Sequence, residues 1–135
     1  PFLNRYSGTF RQIEYLPFSE LAKVYSQGSV FALLSIEEGL ALVQAQAMAC
    51  GLPLLATPNT GCEDLITDGK EGFIVPARDV FAVKERLMYL YENQDVCRNM
   101  GFAARRKITS GYTWNDYGER MIEAYRTILS ERSSI

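Results

Sequence analysis

Three short apolar runs, separated by segments with helical patterning, constrain the fold of this 135-residue chain more than any other feature. They are SVFALLS (29–35), LPLLAT (52–57) and GFIV (72–75). Each run is almost wholly apolar, which is typical of a strand buried on both faces of a parallel sheet. Strands that alternate with helices indicate βαβ units. The sequence therefore predicts an α/β fold, a Rossmann-like open parallel sheet with helices on both faces.

The segments before and between these runs carry their own structural signals. FRQIEYL (10–16) is predicted to be a short strand, and Ser19 the N-cap of the helix that follows it. An alanine-rich helix is predicted over about 40–50, with Gly51 as its C-terminal stop. A short helix is predicted over about 63–66. These elements place one helix between each pair of consecutive apolar runs.

Three helices are predicted at the C-terminus of the chain. The first begins after Asp79, whose side chain can cap it, and the second covers about 94–109. The third begins at Thr113, where Thr113 and Asp116 have the spacing of a capping box. The whole chain, 1–135, is therefore interpreted as a single domain.

The composition excludes several classes of protein. A net charge of -2 argues against a basic nucleic-acid-binding face, and no apolar run has the roughly 18 to 20 residues that span a bilayer. Cys50, Cys62 and Cys97 are odd in number and widely spaced, which predicts reduced thiols in the cytoplasm and no zinc site. Histidine is absent. Because the chain begins with Pro1 and has no signal peptide, it is interpreted as a fragment or a processed piece.

The loops after the first two apolar runs are the predicted ligand site. Parallel sheets bind ligands at the carboxyl ends of their strands, where IEEG (36–39) and PNTG (58–61) lie. The usual glycine-rich phosphate motifs are absent from the sequence. A phosphate could instead be held at the N-terminus of the helix over 40–50, with Gly39 allowing close approach of the backbone.

Glu38 and Gln46 are the polar side chains whose spacing suits an extended ligand. They are eight residues apart, which is about 12 Å along a helix axis at about 1.5 Å per residue. That length is close to the reach of a nucleoside diphosphate with an attached sugar. The alternative interpretation gives these residues no binding function. Glu37 and Glu38 would then be solvated surface residues, Gln46 a surface amide, and the alanines a means of close packing.

The run from Ser35 to Pro76 closely resembles the donor-binding half of glycosyltransferase family 4, and the similarity extends over about 11–128. Members of that family are retaining enzymes of the GT-B fold, in which two Rossmann-like domains face each other across a cleft. The resemblance implies that Glu38 contacts hydroxyls of the donor sugar. The site residues that it implies for the rest of the donor are Gly39, Leu40 and Ala41 (backbone contacts to the sugar) and Leu42 (an N–H to the phosphates).

Gln46 departs from the family pattern. The family has two glutamates separated by seven residues, and the second takes both ribose hydroxyls, whereas here Gln46 occupies that position. An amide lacks the charged, bidentate acceptor, so donor binding is expected to be weaker by on the order of 1 kcal/mol but not abolished. Thr60-Gly61 replaces two glycines of many members and Asp64 replaces a glutamate, and Asp64 is expected to steady the crevice.

The resemblance thus implies the C-terminal, donor-binding part of a retaining, metal-independent hexosyltransferase. The donor is a nucleotide-sugar, with UDP the commonest nucleotide and GDP or ADP as alternatives, and no cofactor is needed. The family's acceptor domain, which would bind the acceptor glycan or lipid-linked sugar, and the first donor-domain strand with its Arg and Lys are not in the sequence. The fragment alone is expected to be inactive.

Location and two other functions stay open. The resemblance is compatible with the cytoplasm and with peripheral association at the cytoplasmic face of the membrane. A nucleotide-sugar epimerase of the same fold is one alternative function. A degenerate, non-catalytic binding domain is the other, and Gln46 is the main evidence for it.

Overall fold

A computed structural model describes residues 8–132. Its strands are β1 (Phe31–Leu33), β2 (Leu54–Ala56) and β3 (Gly72–Ile74). Its helices are α1 (Phe18–Tyr25), α2 (Leu42–Ala49), α3 (Cys62–Leu65), α4 (Val80–Glu92), α5 (Gln94–Thr109) and α6 (Trp114–Arg132). The strands form one parallel sheet in the order β1-β2-β3. The predicted α/β fold and parallel sheet are confirmed.

Helices cover both faces of the sheet, and β2 lies at its centre. Leu54 and Ala56 belong to one buried apolar cluster, whereas Leu55 between them belongs to a second. Successive side chains of a strand point to opposite faces, so the two clusters lie on opposite sides of the sheet. The first cluster includes residues of α2, α3 and α5 (Ala47, Met48, Cys62, Leu65, Ala104, Ile108). The second includes residues of β3, α4 and α5 (Phe73, Leu90, Cys97, Met100).

The prediction of burial on both faces is wrong for β1. Ala32 is exposed, and its neighbours Phe31 and Leu33 are only half-buried. β1 and β3 are both edge strands of the described sheet, but Ala32 of β1 belongs to neither apolar cluster, whereas Phe73 of β3 is covered by the second one. An apolar run shows that a strand can be buried but does not show what packs against it.

The predicted strand over 10–16 is also wrong. The segment has no regular secondary structure, and Phe10, Ile13 and Tyr15 are exposed. A strand is stabilised by hydrogen bonds to a neighbouring strand, and within residues 8–132 the segment 10–16 pairs with none of β1, β2 and β3. Local propensity for a strand is therefore not enough to form one here.

Four of the predicted helix boundaries can be compared with the structure. Ser19 is not an N-cap, because α1 begins at Phe18 and Pro17 occupies the cap position without a side-chain bond. Gly51 ends α2 with φ +82°, a left-handed conformation that glycine adopts without strain. The Asp79 carboxylate accepts a hydrogen bond from the Ala82 N–H at 2.9 Å and caps α4. α5 spans 94–109 as predicted.

The capping box before α6 is confirmed. The Thr113 N–H donates to Asp116 Oδ2 at 2.8 Å, and the Asp116 N–H donates to Thr113 Oγ1 at 3.2 Å. The Thr113 hydroxyl also donates to Asp116 Oδ2, and these bonds lower the pKa of the Asp116 carboxyl.

Among the helices that the structure describes, none has the length and apolar character needed to cross a bilayer.

Candidate functional site

The loops that follow β1 and β2, 34–41 and 57–61, lie side by side at the carboxyl edge of the sheet. The Glu38 N–H donates to the Asn59 carbonyl at 2.8 Å. A second bond joins the loops closer to the strands, where the Thr57 hydroxyl donates to the Ser35 carbonyl. The topology of a parallel sheet thus brings IEEG and PNTG together, as the sequence predicts.

The Glu38 carboxylate is exposed and held on one side. Its Oε1 accepts a hydrogen bond from the Ser35 hydroxyl at 3.0 Å. No described residue donates to Oε2, so this oxygen is available to a ligand in the crevice. The neighbouring Glu37 is also exposed, in keeping with its interpretation as a solvated residue.

The helix at the site, α2, begins later than predicted. It starts at Leu42 rather than near Leu40, and Ala41 occupies its N-cap position in an extended conformation with no side-chain cap bond. The first N–H groups of a helix have no intrahelical acceptor, so the amide of Leu42 is free to bind an anion. The protein itself does not require glycine at Gly39, because a Cβ there would meet no atom within 4 Å.

Gln46 contacts a residue whose role the sequence did not reveal. The Tyr25 hydroxyl donates to Gln46 Oε1 at 3.4 Å, and the Tyr25 ring packs edge-on against Phe31 at 5.8 Å between centroids. Burial, together with the nearby Cys50, raises the pKa of Tyr25, which therefore stays protonated and can donate at neutral pH. Helical spacing indicated only that Tyr25 lies on the apolar face of α1.

Gln44 is the second residue that the sequence did not single out. Its side chain is fully buried, and Nε2 donates to the Thr60 carbonyl at 2.7 Å. Its Oε1 has no hydrogen-bond partner among the described protein atoms. In the sequence Gln44 only interrupts an apolar run, so nothing local distinguishes it from a surface amide.

Glu63, rather than Asp64, steadies the 57–61 loop through its side chain. Glu63 Oε1 accepts from the Asn59 N–H at 2.9 Å, and Asn59 has a left-handed backbone with φ 65°. Asp64 is exposed and makes no comparable side-chain contact to a described residue, although its carbonyl accepts from the Tyr112 hydroxyl at 2.8 Å. The expected role of Asp64 is therefore corrected in favour of Glu63.

The pH dependence of this loop follows from the same bond. The Asn59 N–H lowers the pKa of the Glu63 carboxyl below its ordinary value. The bond is therefore expected to stabilise the loop above the ordinary pKa, and this stabilisation is lost as the pH falls through the lowered pKa. An NMR titration should show the Asn59 amide shift following Glu63, and Glu63→Gln should remove that dependence. A Glu63 pKa at or above the ordinary carboxylate value would contradict the assignment.

The described residues contain no group of histidine, cysteine, aspartate or glutamate side chains arranged to hold a metal ion. What the site offers is the exposed Glu38 carboxylate, the free amides at the start of α2 and the Gln46 amide. This set can bind hydroxyl groups at one end and an anion at the helix terminus.

Residues 7–107 match the family model described as Glycosyl transferases group 1. Alpha-maltose-1-phosphate synthase of Mycolicibacterium smegmatis is 30% identical over 128 residues, which are 90% of this chain and 33% of that protein. D-inositol 3-phosphate glycosyltransferase of Kribbella flavida is 31% identical over 87% of this chain and 27% of that protein.

Solved structures agree on the fold. Sucrose-phosphate synthase from Thermosynechococcus elongatus superimposes with a TM-score of 0.86 at 23% identity, over 96% of this chain and 33% of that one. Anabaena HepE, solved in complex with UDP-glucose, gives a TM-score of 0.71 at 17% identity, over 78% of this chain and 29% of that one. The chain thus spans about a third of the length of the relatives it matches. The family match and the parallel α/β fold agree with the resemblance in the 35–76 run: the chain belongs to the Glycosyl transferases group 1 family.

Proposed function

We propose that this chain is the donor-binding part of a retaining, metal-independent glycosyltransferase. The intact enzyme transfers a hexose from a nucleotide-sugar to a glycan, a lipid or another acceptor. Glu38 binds hydroxyls of the donor sugar, and the backbone of residues 39–41 contacts the same sugar. The Leu42 N–H binds the diphosphate, and Gln46 binds the ribose.

The observation that carries this proposal is that the Glu38 carboxylate and the free amides at the start of α2 lie at the same carboxyl edge of the sheet. Ser35 holds one oxygen of Glu38 and leaves the other for a ligand. The helix terminus beside it favours an anion such as a diphosphate. The UDP-glucose complex of HepE, which shares the fold, supports a nucleotide-sugar as the ligand class.

In the proposed reaction the acceptor attacks on the same face of the sugar from which the nucleotide departs. Glu38 fixes the sugar, so that the reacting carbon is presented in one orientation. Negative charge develops on the leaving diphosphate, and the amides and positive dipole end of α2 stabilise it. Because the chain spans about a third of the length of its relatives, the 135 residues alone are expected not to transfer sugar.

Calorimetric titration of the full-length protein with UDP-, GDP- and ADP-sugars tests the donor class directly. Binding of one nucleotide-sugar, followed by transfer to an acceptor with retained anomeric configuration, is the expected result. Conversion of the nucleotide-sugar to an epimer without any acceptor would contradict transfer and support the epimerase alternative. Sugar transfer by the 135 residues alone would contradict the proposal that this chain supplies only the donor-binding part of the enzyme.

Gln46→Glu is expected to tighten nucleotide-sugar binding by about fivefold, because a carboxylate is a charged acceptor and accepts more strongly than an amide. The Tyr25 hydroxyl could donate to one carboxylate oxygen and leave the other for the ribose. Calorimetry on the wild type and the variant measures the change. Gln94→Glu is the matched control, because Gln94 is exposed at the start of α5 and the substitution adds the same charge.

Gln46 itself favours a second candidate function, a binding domain that no longer catalyses transfer. The two candidates differ in the Gln46→Glu titration. Tighter binding in the variant supports a working site that the amide weakens. Absence of nucleotide-sugar binding by both the wild type and Gln46→Glu would support the degenerate domain.

A further inference from the structure

Gln44 is a polar side chain in a position that packing alone would fill with an apolar one. The other buried residues of α2 are Ala47 and Met48, and Gln44 is as fully buried as they are. Burying an amide costs free energy unless its hydrogen bonds are made. Here Nε2 donates to the Thr60 carbonyl at 2.7 Å, whereas Oε1 has no partner among the described protein atoms, so the bond to the 57–61 loop is the one interaction that the amide provides.

That bond is connected to Glu38 through two adjacent residues of the loop, Thr60 and Asn59. Thr60 is fully buried, and its hydroxyl donates to the Thr57 carbonyl at 2.7 Å, which closes the loop on itself. Asn59, the residue before it, accepts the Glu38 N–H at 2.8 Å. The chain of contacts therefore runs from Gln44 through Thr60 and Asn59 to the backbone of Glu38.

A packing contact joins the same two loops. A Cβ built on Gly61 would lie 2.8 Å from the Leu40 Cα, so the backbones of the two loops are in close contact there. A shift of the 57–61 loop would therefore move the 38–40 backbone as well.

We propose that Gln44 is a positioning residue for Glu38, acting through the 57–61 loop to fix the carboxylate toward the donor sugar. This inference rests on the proposed function, in which Glu38 binds the sugar. Gln44 touches neither the sugar nor the diphosphate in this arrangement. Its removal should therefore affect recognition of the sugar and not recognition of the nucleotide, which the Leu42 N–H and Gln46 bind.

The first test uses Gln44→Met in the full-length protein, because methionine fills a similar volume without an amide. The Kd of the nucleotide-sugar that the wild type binds is expected to rise by about fivefold, the effect of losing one hydrogen bond. The Kd of the free nucleoside diphosphate should stay unchanged. Gln27→Met is the matched control, since the Gln27 Nε2 also donates to a backbone carbonyl, that of Lys23, but is exposed on the turn after α1. The control should leave both Kd values unchanged.

The second test is independent of ligand binding. Hydrogen exchange at the Glu38 amide, which donates to Asn59, should be faster in Gln44→Met than in the wild type. Exchange at the Leu55 amide, in the central strand, should not change. If the wild type binds no nucleotide-sugar, the proposed function fails, and the exchange rate at Glu38 still decides whether Gln44 holds the loop.

Thr60→Val provides a second variant in the same loop if Gln44→Met does not fold. Valine has nearly the shape of threonine but cannot donate to the Thr57 carbonyl. It should also weaken nucleotide-sugar binding without changing nucleoside diphosphate binding. Equal weakening for both ligands, or wild-type affinity for the nucleotide-sugar together with a wild-type Glu38 exchange rate, would overturn the inference.

Discussion

Glu38→Gln in the full-length protein is expected to lower kcat/KM for sugar transfer by about 10- to 100-fold, the effect of replacing a hydrogen bond to a charged group by a neutral one at the reacting sugar. Glutamine keeps the size of the side chain, and its Oε1 can still accept from the Ser35 hydroxyl. The change therefore removes the charge and leaves the geometry of the loop intact. Steady-state kinetics with the nucleotide-sugar that the wild type uses measures the effect.

Glu37→Gln is the control that the chain itself supplies. It makes the same change of charge one residue away, on an exposed side chain in the same loop. Its kcat/KM is expected to stay within about twofold of the wild type, as is usual for an exposed residue outside a site. Equal losses in the two variants would show that only the net charge of the loop matters, and wild-type activity in Glu38→Gln would refute the role of Glu38.

Gly101→Ala is expected to reduce the free energy of unfolding by about 1–3 kcal/mol, the usual range for forcing extra volume into a packed interior. Gly101 lies in the interior of α5, where alanine would ordinarily be the better helix former. A Cβ at this position would lie 2.1 Å from the Gly51 carbonyl oxygen, in the turn after α2. The two helices would have to separate to admit it, so the packing cost exceeds the gain in helix propensity.

Gly118→Ala is the matched substitution in α6. A Cβ there would meet no atom within 4 Å, so the variant is expected to gain about 0.5–1 kcal/mol from helix propensity alone. Thermal and urea unfolding followed by circular dichroism measures both variants against the wild type. A Gly101→Ala variant as stable as Gly118→Ala would show that α5 does not depend on this close approach.

Much of the fold could be predicted because its signals are local. A wholly apolar run, a left-handed glycine at Gly51 and the caps at Asp79 and Thr113 act within a few residues of themselves. Two of the failures have a common origin, since the strand predicted over 10–16 and the full burial predicted for β1 depend on parts of the fold that are distant in the sequence. No window of sequence contains those parts.

The sequence by itself determined the family and the placing of Glu38 beside the 57–61 loop, because parallel topology sends the carboxyl ends of β1 and β2 to the same edge of the sheet. Only the tertiary structure decided what the two amides Gln44 and Gln46 contact. Gln44 meets Thr60 across 16 residues, and Tyr25 meets Gln46 across 21. Such contacts depend on how α1 and α2 pack on the sheet, and the burial that makes an amide important is a property of that packing.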